Sequence, residues 1–118
     1  MEKKIKRILD KKRHIDRLRM YVICRRDLGS PYALVQGAHA VAQYLLACQQ
    51  FKSKVEWTNG TMIMLAVKDE KDLRKWLIKL DKTDVFYTYF MEPDLNNQAT
   101  AMAVILEDGS IFKKLELF

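Results

Sequence analysis

Although 31% of the 118 residues are charged, no Lys, Arg, Asp or Glu occurs between Leu28 and Phe51. Ser30-Pro31 opens this stretch with an N-cap side chain, followed by the residue whose missing N–H costs nothing in a first helical turn. The pattern predicts a helix to about Gln50, and a helix without charge must turn most of its surface to protein. Leu34, Ala38, Val41 and Leu45 are expected to form its core face. On the other side Tyr32, Gln36, His39 and Gln43 recur at i, i+4, i+7 and i+11, an uncharged polar stripe that is the first candidate for a site.

The flanking segments supply a sheet. Met20 to Arg26 is rich in apolar and β-branched residues and is broken by Asp27-Leu28-Gly29, so it reads as a buried strand. Trp57-Thr58-Asn59-Gly60 is a turn signal ahead of an apolar strand from Thr61 to Val67. Asp69 can cap a helix whose Leu73, Trp76, Leu77 and Leu80 keep amphipathic spacing, ending near Asp81. Val85 to Met91 is an aromatic strand, Glu92 to Gln98 a polar loop and Thr100 to Leu106 a buried strand. Asp108-Gly109 leads to a short terminal element, one helical turn and then Leu115 to Phe118. The β-α-β opening implies a single α/β domain with a mixed four-stranded sheet flanked by helices. Ligands on such sheets sit near strand carboxyl ends, which points to the turn from Asp27 to Gln36.

Charge divides the chain at residue 19. Residues 1 to 19 hold nine Lys or Arg against Glu2, Asp10 and Asp16, which accounts for the whole formal charge of +6 and leaves residues 20 to 118 neutral. Ile5, Ile8, Leu9, Ile15 and Leu18 give this basic arm a narrow apolar stripe interrupted by Lys12, so a helix is expected that docks on the body or on a second copy. A basic segment on a neutral domain is a footprint for nucleic acid, though a solvated helix has the same composition. Cys24 and Cys48 lie in apolar stretches without metal-ligand spacing and read as buried thiols of a reducing cytosol. No apolar run is long enough to span a bilayer and the charged start lacks a signal-peptide pattern, so a cytoplasmic location is expected, with no membrane partner and no cofactor or metal.

Three stretches resemble the type 2 peptidyl-tRNA hydrolases of archaea and eukaryotes. The first is Val22 to Leu28 with Val35-Gln36-Gly37-Ala38-His39-Ala40, similar to that family's strand ending in Arg-x-Asp-Leu and its Ala-Gln-x-x-His-Ala helix. Trp57-x-x-Gly60, the strand to Val67 and Asp69-Glu70 with Leu73 are the second, and Gln98 to Ala103 is the third. Together they run in order over about residues 20 to 118, leaving the arm outside. The sequence departs from the family pattern at two places. Pro31 and Tyr32 stand where the family has Gly-Lys, whose lysine is held to be important for hydrolysis. Met91 to Gln98 replaces a loop bearing Asp-x-Gly-x-Thr, and a divergent eukaryotic branch of the superfamily carries a comparable glutamate-proline loop.

The resemblance implies hydrolysis of the ester that joins a peptide or aminoacyl group to tRNA. Such chemistry needs an activated water, a donor for the oxyanion and cations for the RNA backbone. His39, Glu92 and Asp94 are the candidate bases; Tyr32 and Gln36 are the candidate donors to the carbonyl. Arg25, Arg26, Lys11, Lys12, Arg13 and Arg17 are the candidate phosphate contacts. Each has a structural alternative. For His39 it is packing, for Gln36 a bond tying helix to loop, for Asp27 a pairing with Arg25 or Arg26, and for the aromatics from Phe86 to Phe90 a place in the core instead of stacking on bases. The competing function is a binding module for RNA or protein that keeps the fold without the chemistry.

Overall fold

The computed structural model describes Met1–Phe118. Strand β1 (Arg19–Arg25) is buried from Met20 onward and organises the molecule. Its alternate residues serve two layers, as a period of two requires. Tyr21 and Ile23 join Leu65, Val67, Leu73, Leu77, Leu80 and Met102 on one face, while Met20, Val22 and Cys24 join Ala33, Ala40, Tyr44 and Cys48 on the other. Helix α2 (Ser30–Gln50) covers the second face. Helix α3 (Glu70–Asp81) covers the first, with the Asp69 carboxylate accepting the Asp72 N–H at 2.9 Å as its cap.

Strand β2 (Thr61–Val67) runs parallel to β1, and β4 (Gln98–Leu106) lies antiparallel on its other side. Strand β3 (Tyr87–Glu92) pairs antiparallel with β4 along the edge, with a register shift between Phe90 and Met91. The expected count of four strands is corrected to five. Glu116–Leu117 adds a two-residue β5 to β2, so the order is β3-β4-β1-β2-β5. Leu65 and Ala66 face this strand, and Phe118 N–H reaches the Met64 carbonyl at 3.0 Å. The pairing covers the carboxyl half of the β2 edge.

Two expectations for α2 are also corrected. Gly29, not Ser30, is its N-cap; Ser30 is the first helical residue and makes no capping bond, while Pro31 sits in the first turn as expected. The core face is not Leu34, Ala38, Val41 and Leu45. Leu34 is 39% exposed and Leu45 38% exposed, and the buried residues are Ala33, Gln36, Gly37, Ala40, Tyr44 and Cys48. The helix lies too close to β1 for leucines. A Cβ on Gly37 would stand 2.7 Å from Cys24 Sγ and 3.1 Å from Val22 Cγ1, so only small residues fit the seam and the larger ones rotate outward. Burial pushes the Cys24 thiol up to about 12, as suits an inert core thiol.

The arm is a helix, α1 (Glu2–Arg17), with no buried residue. It meets the body at its last turn, where His14 and Arg17 contact Glu107 at 2.7 and 2.9 Å.

Candidate functional site

The close approach at Gly37 sets Gln36, one residue earlier, against the sheet with none of its surface exposed. Its amide nitrogen donates to Glu92 Oε1 at 3.0 Å, and its amide oxygen accepts from the Thr100 hydroxyl at 2.7 Å. This orientation follows from chemistry, since an ionised carboxylate only accepts and the amide must turn its nitrogen toward Glu92. The Phe90 carbonyl, 3.2 Å from the Thr100 hydroxyl, completes a linkage through α2, β3 and β4.

Glu92 ends β3, and the chain then makes a short 3-10 turn at Pro93–Leu95. Asn96 and Asn97 have φ of 53° and 59°, the left-handed conformation that asparagine tolerates, and they return the chain into β4. The half-buried Glu92 carboxylate accepts from Gln36, from the Tyr32 hydroxyl at 3.4 Å and from the Asp94 N–H at 3.5 Å. The Gln36 bond is the main cause that holds its pKa below the ordinary carboxylate value, with the Asp94 amide, Tyr32 and the charge of His39 adding to it against partial desolvation. The Tyr32 phenol is pushed up by desolvation and by Glu92, so it stays a proton donor. Oε1 takes both side-chain bonds. Oε2 has only the long Asp94 contact and keeps lone pairs free.

The sequence-selected residues therefore separate. Tyr32, Gln36, His39 and Glu92 come together, and the stripe on α2 and the loop after β3 share one side of the sheet. Gln36 is corrected from a substrate donor to a positioning residue, because a side chain with no exposed surface cannot touch a ligand. His39 stacks on Phe90 at 4.4 Å and 9° and has no hydrogen-bonded group to orient it as a base. Asp94 contributes its backbone N–H, and its side chain points into solvent without a partner. Thr100 was not singled out, although a buried hydroxyl that opens a strand beside Gln98 signals a polar linkage. Gln43 lies farther along, beside Tyr87 to Met91.

Arg25 is likewise corrected as a phosphate contact. It is 4% exposed and forks onto Asp27 at 3.0 and 2.7 Å, and it also donates to Gln98 Oε1 and the Ala99 carbonyl at 2.9 Å each. Its donors are spent joining the end of β1 to the start of β4. Arg26 is half-exposed but leans on the Phe118 ring and donates to the Leu117 carbonyl at 2.8 Å. Arg17 is paired with Glu107, whereas Lys11, Lys12 and Arg13 are exposed on α1. No three His, Cys, Asp or Glu side chains gather to hold a metal ion, and no helix is long and apolar enough to cross a membrane.

No family model and no curated protein matches the chain. A solved structure of a protein of unknown function from Agrobacterium tumefaciens str. C58 is similar, with a TM-score of 0.63 and 15% identity over 86% of this chain and 97% of that one. At that identity the likeness concerns the fold, a mixed α/β sheet with helices on both faces.

Replacing Gln36 with methionine tests how Glu92 is held. A depressed folded-state pKa adds stability above the unfolded carboxylate value, about 4.3, and that stability is lost as pH falls through the folded value. Gln36→Met removes the main cause of the depression, so the Glu92 carboxyl titration followed by NMR should move upward in pH. The acid-side loss of stability from this group should shrink with it. An unmoved titration would mean that Gln36 does not hold the carboxylate.

Proposed function

We propose that the chain hydrolyses the ester linking a peptidyl or aminoacyl group to the 3′ end of tRNA, as its resemblance to the type 2 peptidyl-tRNA hydrolases implies. The observation that carries this reading is Glu92, a carboxylate held ionised by Gln36 with its Oε2 still free. Oε2 takes a proton from a bound water as that water attacks the ester carbonyl. Tyr32, still protonated, can exchange its long 3.4 Å contact for a shorter bond to the developing oxyanion. As the tetrahedral intermediate collapses and the ester C–O bond breaks, protonated Glu92 returns that proton to the leaving 3′ oxygen, so tRNA departs with a free 3′ hydroxyl, the acyl group as a carboxylic acid that ionises in water, and Glu92 as the carboxylate. The depressed pKa makes Glu92 a weak base that is available across the neutral range, so slow turnover is expected.

A second reading, a binding module for tRNA, other RNA or protein, is favoured by one observation. Glu92 has no cation in salt-bridge contact, and Tyr32 stands where the family has its lysine. Wherever the ligand is tRNA or another RNA, the arm holds it. Each phosphate neutralised contributes about 0.7–0.9 to the slope of log affinity against log salt. Exchanging Lys11, Lys12 and Arg13 for alanine should therefore flatten the slope by about 2 to 3 in a tRNA-binding titration. An unchanged slope would remove the arm from the RNA interface. Turnover of peptidyl-tRNA by the purified chain separates the two functions.

A further inference from the structure

Two apolar helix faces of this chain have no partner within it. On α1, Ile5, Ile8 and Leu9 are exposed at 50, 63 and 48%, and a lysine-rich helix of 16 residues that buries nothing is marginal in water. Its polar side is the one tied down, since His14 contacts Glu107 and lies nearly opposite Ile5 and Leu9 at 3.6 residues per turn. On α2, Leu34, Ala38, Val41 and Leu45 recur with steps of four, three and four. They form a wall of an uncharged groove of about 370 Å³ that Met62 and Met64 of β2 complete.

We propose that α1 of one copy packs along the α2 groove of a second copy, and that the exchange is reciprocal. The spacings match. Ile5, Ile8, Lys12 and Ile15 step by three, four and three, the seam that pairs with a four-three-four seam in left-handed helix packing. The exposed Ala38 and Ala42 allow close approach, and the adaptable methionines can fit the incoming isoleucines. Lys12, inside the seam, lays its stem on the groove and carries its ammonium to water. The groove has no charge to oppose the arm, and the remaining arm cations stay on the outer side.

Reciprocity also supplies area. Each arm is about 24 Å long, and making the contact twice brings the buried surface toward the roughly 1,600 Å² of a stable interface. This inference stands independently of the hydrolase reading.

The experiment uses the full chain in analytical ultracentrifugation at high micromolar concentration, without RNA. The native chain should be a dimer. Ile8→Glu, which spoils the arm, and Ala38→Glu, which spoils the groove, alter exposed positions and should each give a monomer whose body still unfolds in one cooperative transition, at a temperature lowered only by the lost association. Mixing the two variants should restore a weaker dimer, because the Ala38→Glu copy has a sound arm and the Ile8→Glu copy a sound groove. A monomeric native chain, a dimeric Ile8→Glu variant or a mixture that stays monomeric would each overturn the proposal. The second of these would point to α2 packing on α2 without the arm.

Discussion

Glu92→Gln should reduce peptidyl-tRNA turnover by about 10² to 10⁴, the usual contribution of a positioned general base. Glutamine keeps the shape and can still accept the Gln36 amide through its own oxygen, so the local fold should persist. It cannot take a proton from water. RNA affinity and melting temperature should therefore stay near those of the native chain while turnover falls. A variant that keeps full rate would assign the proton transfer to another group, and one that loses stability as well would make Glu92 part of the framework.

The largest effect on stability is expected at Arg25. Its guanidinium is buried, forks onto Asp27 and also satisfies Gln98 and Ala99. Removing one partner of a buried pair typically costs about 3–5 kcal/mol, because the other groups lose their bonds without regaining water. The Asp27 side chain is 39% exposed and can recover part of its hydration, which sets Arg25→Ala at the lower end, about 3 kcal/mol. Arg25→Lys should recover little, since one ammonium cannot reproduce the planar fork. Urea unfolding of the two variants measures this. A drop in RNA affinity at native stability would return Arg25 to the phosphate contacts and contradict its structural role.

This pair shows how far local sequence reaches. The sequence offers Arg25 and Arg26 as phosphate contacts and Asp27 as a pairing partner for either of them. Arg25 ends the strand and Asp27 stands in the turn beyond it, close enough to pair, but the burial that commits Arg25 to that pairing comes from β4, more than seventy residues away. By contrast, α3 was legible almost to the residue, because its cap at Asp69 and its face of Leu73, Leu77 and Leu80 are both local.

Helix α2 was legible as an element and not in its orientation. Periodicity groups residues by face without saying which face meets the sheet. Size alone favours the larger Leu34, Val41 and Leu45 for the core, but the available gap admits Ala33, Gly37 and Ala40 instead. The run Ala33, Gly37, Ala40, Tyr44, Cys48 keeps helical spacing and was the signal of a close approach. That rotation also explains the site. It turns Gln36 inward to hold Glu92 and leaves Tyr32 and His39 at the rim, a division of roles that the stripe alone could not give. The terminal element at Leu115 to Phe118 is legible as an element, but its two paired residues, Glu116 and Leu117, carry no period that marks them as a strand.

Single-turnover hydrolysis of peptidyl-tRNA by the native chain tests the central claim most directly, with Glu92→Gln and Tyr32→Phe measured beside it. Slow release of free tRNA by the native protein is expected, with a rate lower by about 10² or more in Glu92→Gln and a smaller loss in Tyr32→Phe. No release by native protein that still binds the tRNA would contradict the hydrolase and leave the binding module.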